Sequence, residues 1–208
     1  MLDANQLLEE AKKITGLSFL GNPLFEEGFN KLVYSINNEA DLNDIGIQAQ
    51  YHRLIGVLSN MLRIEDAVIN HPEILNEQIA APIVIVGLPR TGSTMTHRLL
   101  AADPRHTAML WWEGRYPAML PNEERGNPSE RMALGKAEVD AVVAASPEAL
   151  TIHPWDYKGA DEEILLLEHT FFSTVPESFM RLPSYSSWVE AQDHIHAYNQ
   201  LKIMLQYL

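Results

Sequence analysis

Ile83-Val84-Ile85-Val86-Gly87-Leu88-Pro89-Arg90-Thr91-Gly92-Ser93-Thr94 is the stretch that decides the fold class of this chain. A continuous apolar, β-branched run predicts a strand buried on both faces, as in a parallel α/β sheet. The run breaks at glycine and proline, and a segment of helical periodicity follows from Met95 to Ala102. Strand, tight loop and helix start point several backbone N–H groups and a positive helix end at one spot. A phosphate or sulfate group is what such a spot holds best.

Charge supports a local anion site. The formal net charge of −13 argues against broad nucleic-acid or anionic-membrane binding. Between Val84 and His106, however, stand three arginines (Arg90, Arg98, Arg105) and a single acid, Asp103. The local sign opposes the global one, which favours a small anionic ligand in a pocket.

Outward from the loop, the pattern is helical. Asp3 or Asn5 caps a first helix running through Lys13, Pro23 opens a second near Leu24–Asn37, and a third runs from Asp44 to Asn70, stopped by His71-Pro72. Downstream, Ser129 caps a helix over 130–145, Asp161–Thr174 reads as one helix, and Ser184–Asp193 and Ala197–Leu208 read as two more. Trp111–Pro128 and Thr151–Gly159 read as irregular loops. Residues 1–78 thus form a helical N-terminal region and 79–208 the beginning of an α/β domain. One convincing strand cannot make a sheet. Either short strands hide near Thr107–Leu110, or the chain stops before its sheet is complete.

Apolar residues at 46% and charged residues at 21% place the chain among folded globular proteins. No apolar run reaches the ~18 residues that span a bilayer. The acidic, amphipathic N-terminus is not a signal peptide, so a cytoplasmic location is expected. With no cysteine, thiolate metal sites are excluded. His194 and His196, two residues apart on a helix, point in different directions and do not suggest zinc. Oligomeric state is not legible.

Gly87-x-x-x-x-Gly92-Ser93-Thr94 is close to the nucleoside-triphosphate loop GxxxxGK[ST], but Ser93 stands where that loop has its lysine. A nucleotide kinase with an altered loop, or a non-catalytic P-loop-like nucleotide-binding module, therefore remains an alternative rather than the first reading.

The first reading comes from a resemblance. PRTGST between an apolar run and a helix resembles the 5′-phosphosulfate loop of sulfotransferases that use 3′-phosphoadenosine 5′-phosphosulfate. His97-Arg98-Leu99-Leu100, Asp103-Pro104-Arg105, Trp112-Glu113, His153-Pro154, Asp161-Glu162-Glu163 and Pro183-Ser184-Tyr185 with Trp188 are similar to a bacterial branch of that superfamily. The resemblance implies a P-loop-like sulfotransferase fold: a parallel sheet, incomplete in this chain, flanked by helices. It implies sulfuryl transfer from that donor to a hydroxyl or amine of a small-molecule acceptor, with no metal. The 5′-phosphosulfate would sit on Arg90, Thr91, Gly92, Ser93 and Thr94. For the base, Glu113 comes first and His153 second, with Glu162 and Glu163 behind them. The residues that grip the donor's 3′-phosphate in the family are not found here, so the chain reads as the N-terminal portion of such a protein, expected to bind donor weakly and not to turn over by itself.

Overall fold

The computed structural model describes residues 1–18, 24–88 and 90–208, with Leu24 described by its backbone alone. Pro23, expected to open the second helix, and Pro89 of the anion loop lie outside the described residues. The chain divides into two compact units, residues 1–77 with 166–207, and residues 78–165 with Leu208. The sequence reading divides it instead at 78–79.

The first unit is a helical assembly. Helix α1 (Ala4–Thr15) starts where the Asp3 carboxylate accepts the Gln6 N–H at 2.8 Å and ends at Gly16 in the left-handed region. Helices α2 (Leu24–Glu39) and α3 (Asp44–Asn70) follow, the latter capped by the Asn43 side chain and ended at His71-Pro72. Their apolar stripes, among them Leu7, Phe29, Ile36, Leu58 and Leu62, make one core. Residues 166–207 add helices to the same core, and Phe171, Leu182, Tyr185 and Val189 are buried in it. Arg53 and Glu168 form an ion pair at 2.6 Å, with side chains 15% and 4% exposed, so breaking either half would strand a charge.

The second unit carries helices α4 (Ser93–Ala101), α5 (Trp111–Arg115), α6 (Ser129–Ala145) and α7 (Ala149–Ile152). Trp111, Trp112, Ala118, Val139 and Ala160 are its buried apolar residues. Around them the Arg131 guanidinium pairs with Glu123, donates to the Tyr116 and Pro117 carbonyls and stacks over Trp112. Arg115 and Tyr116 both donate to Glu138.

Several sequence expectations are corrected. The strand over Ile83–Val86 is not formed: among the described residues there is no strand, and Ile83, Val84 and Val86 are 62%, 70% and 90% exposed. A strand exists only through its ladder of hydrogen bonds, and no described segment pairs with this one. The parallel sheet is therefore not seen. Near Thr107–Leu110 there is just one antiparallel bridge, Leu110 to Ala160. The supposed loop at Trp111 begins instead with α5. Asp161–Thr174 is not one helix but a short α8 (Ile164–Leu167) and a 3₁₀ turn (Glu168–Thr170), stopped by Phe171 at φ +59°. Helix α6 begins at Ser129, with Pro128 in the capping position and no side-chain cap.

Candidate functional site

All the expected site residues lie in the second unit. Gly92 takes the left-handed conformation (φ +91°) that turns the chain into α4, a position where a Cβ would be strained. No side chain caps α4. Ser93 and Thr94, half-buried, form its first turn, where backbone N–H groups lack intrahelical acceptors. Thr91 is exposed, and its hydroxyl donates to the Leu88 carbonyl at 2.6 Å, closing the loop on itself. That hydroxyl is a loop brace in this conformation.

Arg90 sits just ahead of this turn at φ +68°. The left-handed region costs a non-glycine residue roughly 1–3 kcal/mol, which persists only where the surroundings impose it. The Arg90 guanidinium Nη1 donates to the Ile152 carbonyl. Two residues on, the Pro154 carbonyl accepts from Arg98 Nη2 at 2.7 Å. Two guanidiniums thus bond the carbonyls of the residues on either side of His153. Arg98 also lies against Gly159, where a Cβ would meet Nη2 at 2.6 Å.

The three arginines are not equivalent. Arg105 is spent on Asp103, with Nη2 to Oδ2 at 2.6 Å and Nε to both oxygens. The same pair holds the Asp103 carboxyl down at about 2 through side-chain and then backbone hydrogen bonds from Arg105. Arg90 and Arg98 have no carboxylate partner among the described residues. Arg90 brings its charge to the start of α4, whereas Arg98 stands in the helix's last turn.

The expected bases divide. Glu113, half-buried at the third position of α5, accepts the Leu110 N–H through Oε2 at 2.7 Å, so it caps its own helix. His153 Nε2 lies 3.0 Å from Asp161 Oδ2, and its ring meets Trp155 edge-on. Asp161 is 7% exposed, while Glu162 and Glu163 are exposed.

Segment 152–161 gathers these pieces. Besides the two arginines, it receives the Trp112 N–H on Tyr157 and the Trp111 N–H on Gly159, and Asp161 donates its N–H to Met109. The anion loop, His153 and the start of α5 therefore meet one common strip of backbone. Beside it a solvent-open cleft of about 310 Å³ is lined by Arg98, Ala101, Ala108, Leu110, Lys158 and Ala160. Asp161, quoted in the resemblance, is the residue to which sequence reasoning gave no role in the site. Its acidic neighbours mask it, and nothing local marks a carboxylate eight residues beyond a histidine.

A model of the sulfotransferase family matches residues 82–206, which takes in the loop, α4 and the 152–161 strip. The chain belongs to the sulfotransferase family. Two solved sulfotransferases are similar to it over its whole length. STF1 from Mycobacterium tuberculosis H37Rv is 28% identical with a TM-score of 0.81, covering 99% of this chain and 57% of its own. STF9 from Mycobacterium avium is 25% identical with a TM-score of 0.83, covering 100% of this chain and 54% of its own. This sulfotransferase-family chain thus spans little more than half the length of either, and carries the corresponding part of a sulfotransferase fold. No curated relative matches it. Within the matched region, Tyr185 is a core residue of the first unit, donating its hydroxyl to the Phe171 carbonyl at 3.0 Å, and Trp188 is half-buried against that core.

Proposed function

We propose that the chain carries the sulfuryl-donor site of a sulfotransferase that moves a sulfuryl group from 3′-phosphoadenosine 5′-phosphosulfate to a hydroxyl or amine of a small acceptor. The observation that carries this reading is Arg90. It is held in a costly backbone conformation at the start of α4, exposed, with no carboxylate to neutralise it. Cofactor-binding roles fall to Arg90, Thr91, Gly92, Ser93 and Thr94. The first-turn amides would receive the 5′-phosphosulfate, and the Arg90 fork would bond its terminal and bridging oxygens. Charge builds on the leaving phosphate as the acceptor oxygen attacks in line, and a donor fixed there acts without reorganising.

Of the two candidate bases, the reading gives the acceptor's proton to His153 and leaves Glu113 as a cap, because the Glu113 carboxylate is already bonded to its own helix start. The exposed run Ile83–Val86 is, in this reading, the first strand of the family's parallel sheet. Its ladder partners would come from polypeptide that the longer relatives possess. Phosphoryl transfer is the weaker alternative, since Ser93 replaces the lysine that pairs with nucleotide phosphates.

The test, in a full-length protein carrying these residues, is transfer of radiolabelled sulfuryl from the donor to phenolic, alcoholic and amine acceptors, with and without a magnesium chelator. Arg90→Ala should lose about 10²–10³-fold in rate, the range seen when one preorganised donor is removed. Chelation should change nothing, because phosphoryl transfer needs the ion and sulfuryl transfer does not. Transfer that survives Arg90→Ala at full rate would overturn the assignment.

A further inference from the structure

We infer that Asp161 is a positioning residue for His153: it fixes the ring in the tautomer that carries its proton on Nε2 and leaves Nδ1 as the proton acceptor. The inference rests on the transfer reading above and deepens it.

The argument starts from how completely His153 is held. Its N–H donates to the Ala149 carbonyl at 3.0 Å, and its own carbonyl accepts the Trp155 N–H at 3.0 Å. The carbonyl before it accepts from Arg90 and the carbonyl after it from Arg98. The ring is set by Asp161 Oδ2 on one nitrogen and by the edge-on Trp155 ring at 5.5 Å. Through Ile152, Arg90 bonds the peptide unit that immediately precedes the imidazole's own residue.

Asp161 decides the tautomer. It is buried, and among the described residues no lysine or arginine pairs with it. Its Oδ1 accepts the Glu162 N–H at 2.8 Å, and its Oδ2 faces His153 Nε2 at 3.0 Å. A carboxylate can only accept, so the nitrogen facing it must carry the hydrogen. In the neutral ring the lone pair then falls on Nδ1, which bonds no described residue. A buried carboxylate with one oxygen on a backbone amide and the other on one ring nitrogen is the arrangement that keeps an imidazole in a single tautomer.

The step balances as follows. The acceptor O–H gives its proton to Nδ1 while its oxygen forms the new S–O bond. The bond from sulfur to the bridging phosphate oxygen breaks, and adenosine 3′,5′-bisphosphate departs with that electron pair, its charge met by Arg90. The imidazolium, stabilised by Asp161, later returns the proton to water.

The decisive measurement is a long-range ¹H–¹⁵N correlation spectrum of the histidine rings in the uniformly labelled full chain at alkaline pH. His153 should show a protonated Nε2 and an unprotonated Nδ1, and Asp161→Asn should mix or invert the two. A wild-type ring protonated on Nδ1, or a tautomer unchanged by Asp161→Asn, overturns the inference. The wild-type spectrum carries this test by itself and does not depend on the variant's folding. In turnover, Asp161→Asn should lower kcat by about 100-fold, within the span of general acid–base catalysis, with KM for the donor unchanged. An effect confined to KM would overturn the positioning role. If the wild-type ring shows the expected tautomer but no sulfuryl group moves, the transfer reading fails and the catalytic use of Nδ1 fails with it, while the tautomer assignment stands.

Discussion

Arg90, Arg98 and Arg105 look alike in the sequence and behave differently in the fold. Arg105 is neutralised by Asp103 two residues away, whereas Arg90 and Arg98 reach across 62 and 56 residues to carbonyls. The Asp103 carboxyl is held at about 2, below its ordinary 3.8, by the Arg105 hydrogen bonds. A lowered folded-state value means the pair's contribution is present above the ordinary value and is lost as pH falls toward 2. Arg105 is exposed and Asp103 only half-buried, so the consequence is a titration rather than a stability change. Carboxyl ¹³C shifts should place the Asp103 midpoint near 2, and Arg105→Ala should return it toward 3.8. Glu113 separates capping from catalysis. Glu113→Gln should keep the transfer rate within about threefold while a weakened cap costs up to about 1 kcal/mol in urea melts. A rate loss of orders of magnitude would return the base to Glu113.

Elements were legible in proportion to their length. Helices α1, α2 and α3 bury one apolar stripe each, and that stripe repeats often enough to be read from periodicity alone. Helices α5, α7 and α8 are five residues or fewer, too short to form without tertiary support, and none is preceded by the Ser, Thr, Asp or Asn that marks a helix start in sequence. The Asp161–Thr174 segment has a helical look but is broken because Phe171 turns left-handed to seat its ring on Phe29, at 4.9 Å between centroids, and its carbonyl under Tyr185. That seat constrains α2. A Cβ at Gly28 would come within 2.6 Å of the Phe171 carbonyl oxygen and 3.2 Å of the Trp188 ring. Gly28→Ala should therefore destabilise the chain by about 1–3 kcal/mol through overpacking, outweighing a gain of about 1 kcal/mol in helix propensity. Denaturant unfolding checks this, and a stabilised variant would show that α2 can slide away from the turn.

At the scale of the molecule, the most exposed apolar surface is the run that reads as a core strand. Ile83, Val84, Val86 and Leu88, with Met95 and Leu99 on α4, are all more than 60% exposed. Both solved relatives have nearly as much chain again beyond what this one covers. An apolar surface with unpaired backbone is prone to associate. Val84→Lys combined with Val86→Lys should leave unfolding free energy within about 0.5 kcal/mol, since neither side chain is packed. The same pair should reduce concentration-dependent association in sedimentation velocity. A large loss of stability would show that the run is buried in solution, against the structure.

The amino-acid sequence by itself determined the turn at Gly92, the helix start that follows it, the long amphipathic helices and the local excess of positive charge. Each depends on neighbours within a few residues, so each leaves a local signature. Only the tertiary structure decided which arginines stay unpaired, that Ile83–Val86 lacks a ladder, and that Ile152, Pro154 and Asp161 converge on His153. Backbone carbonyls are chemically identical at every position, so nothing in a sequence marks the ones that a distant guanidinium will find.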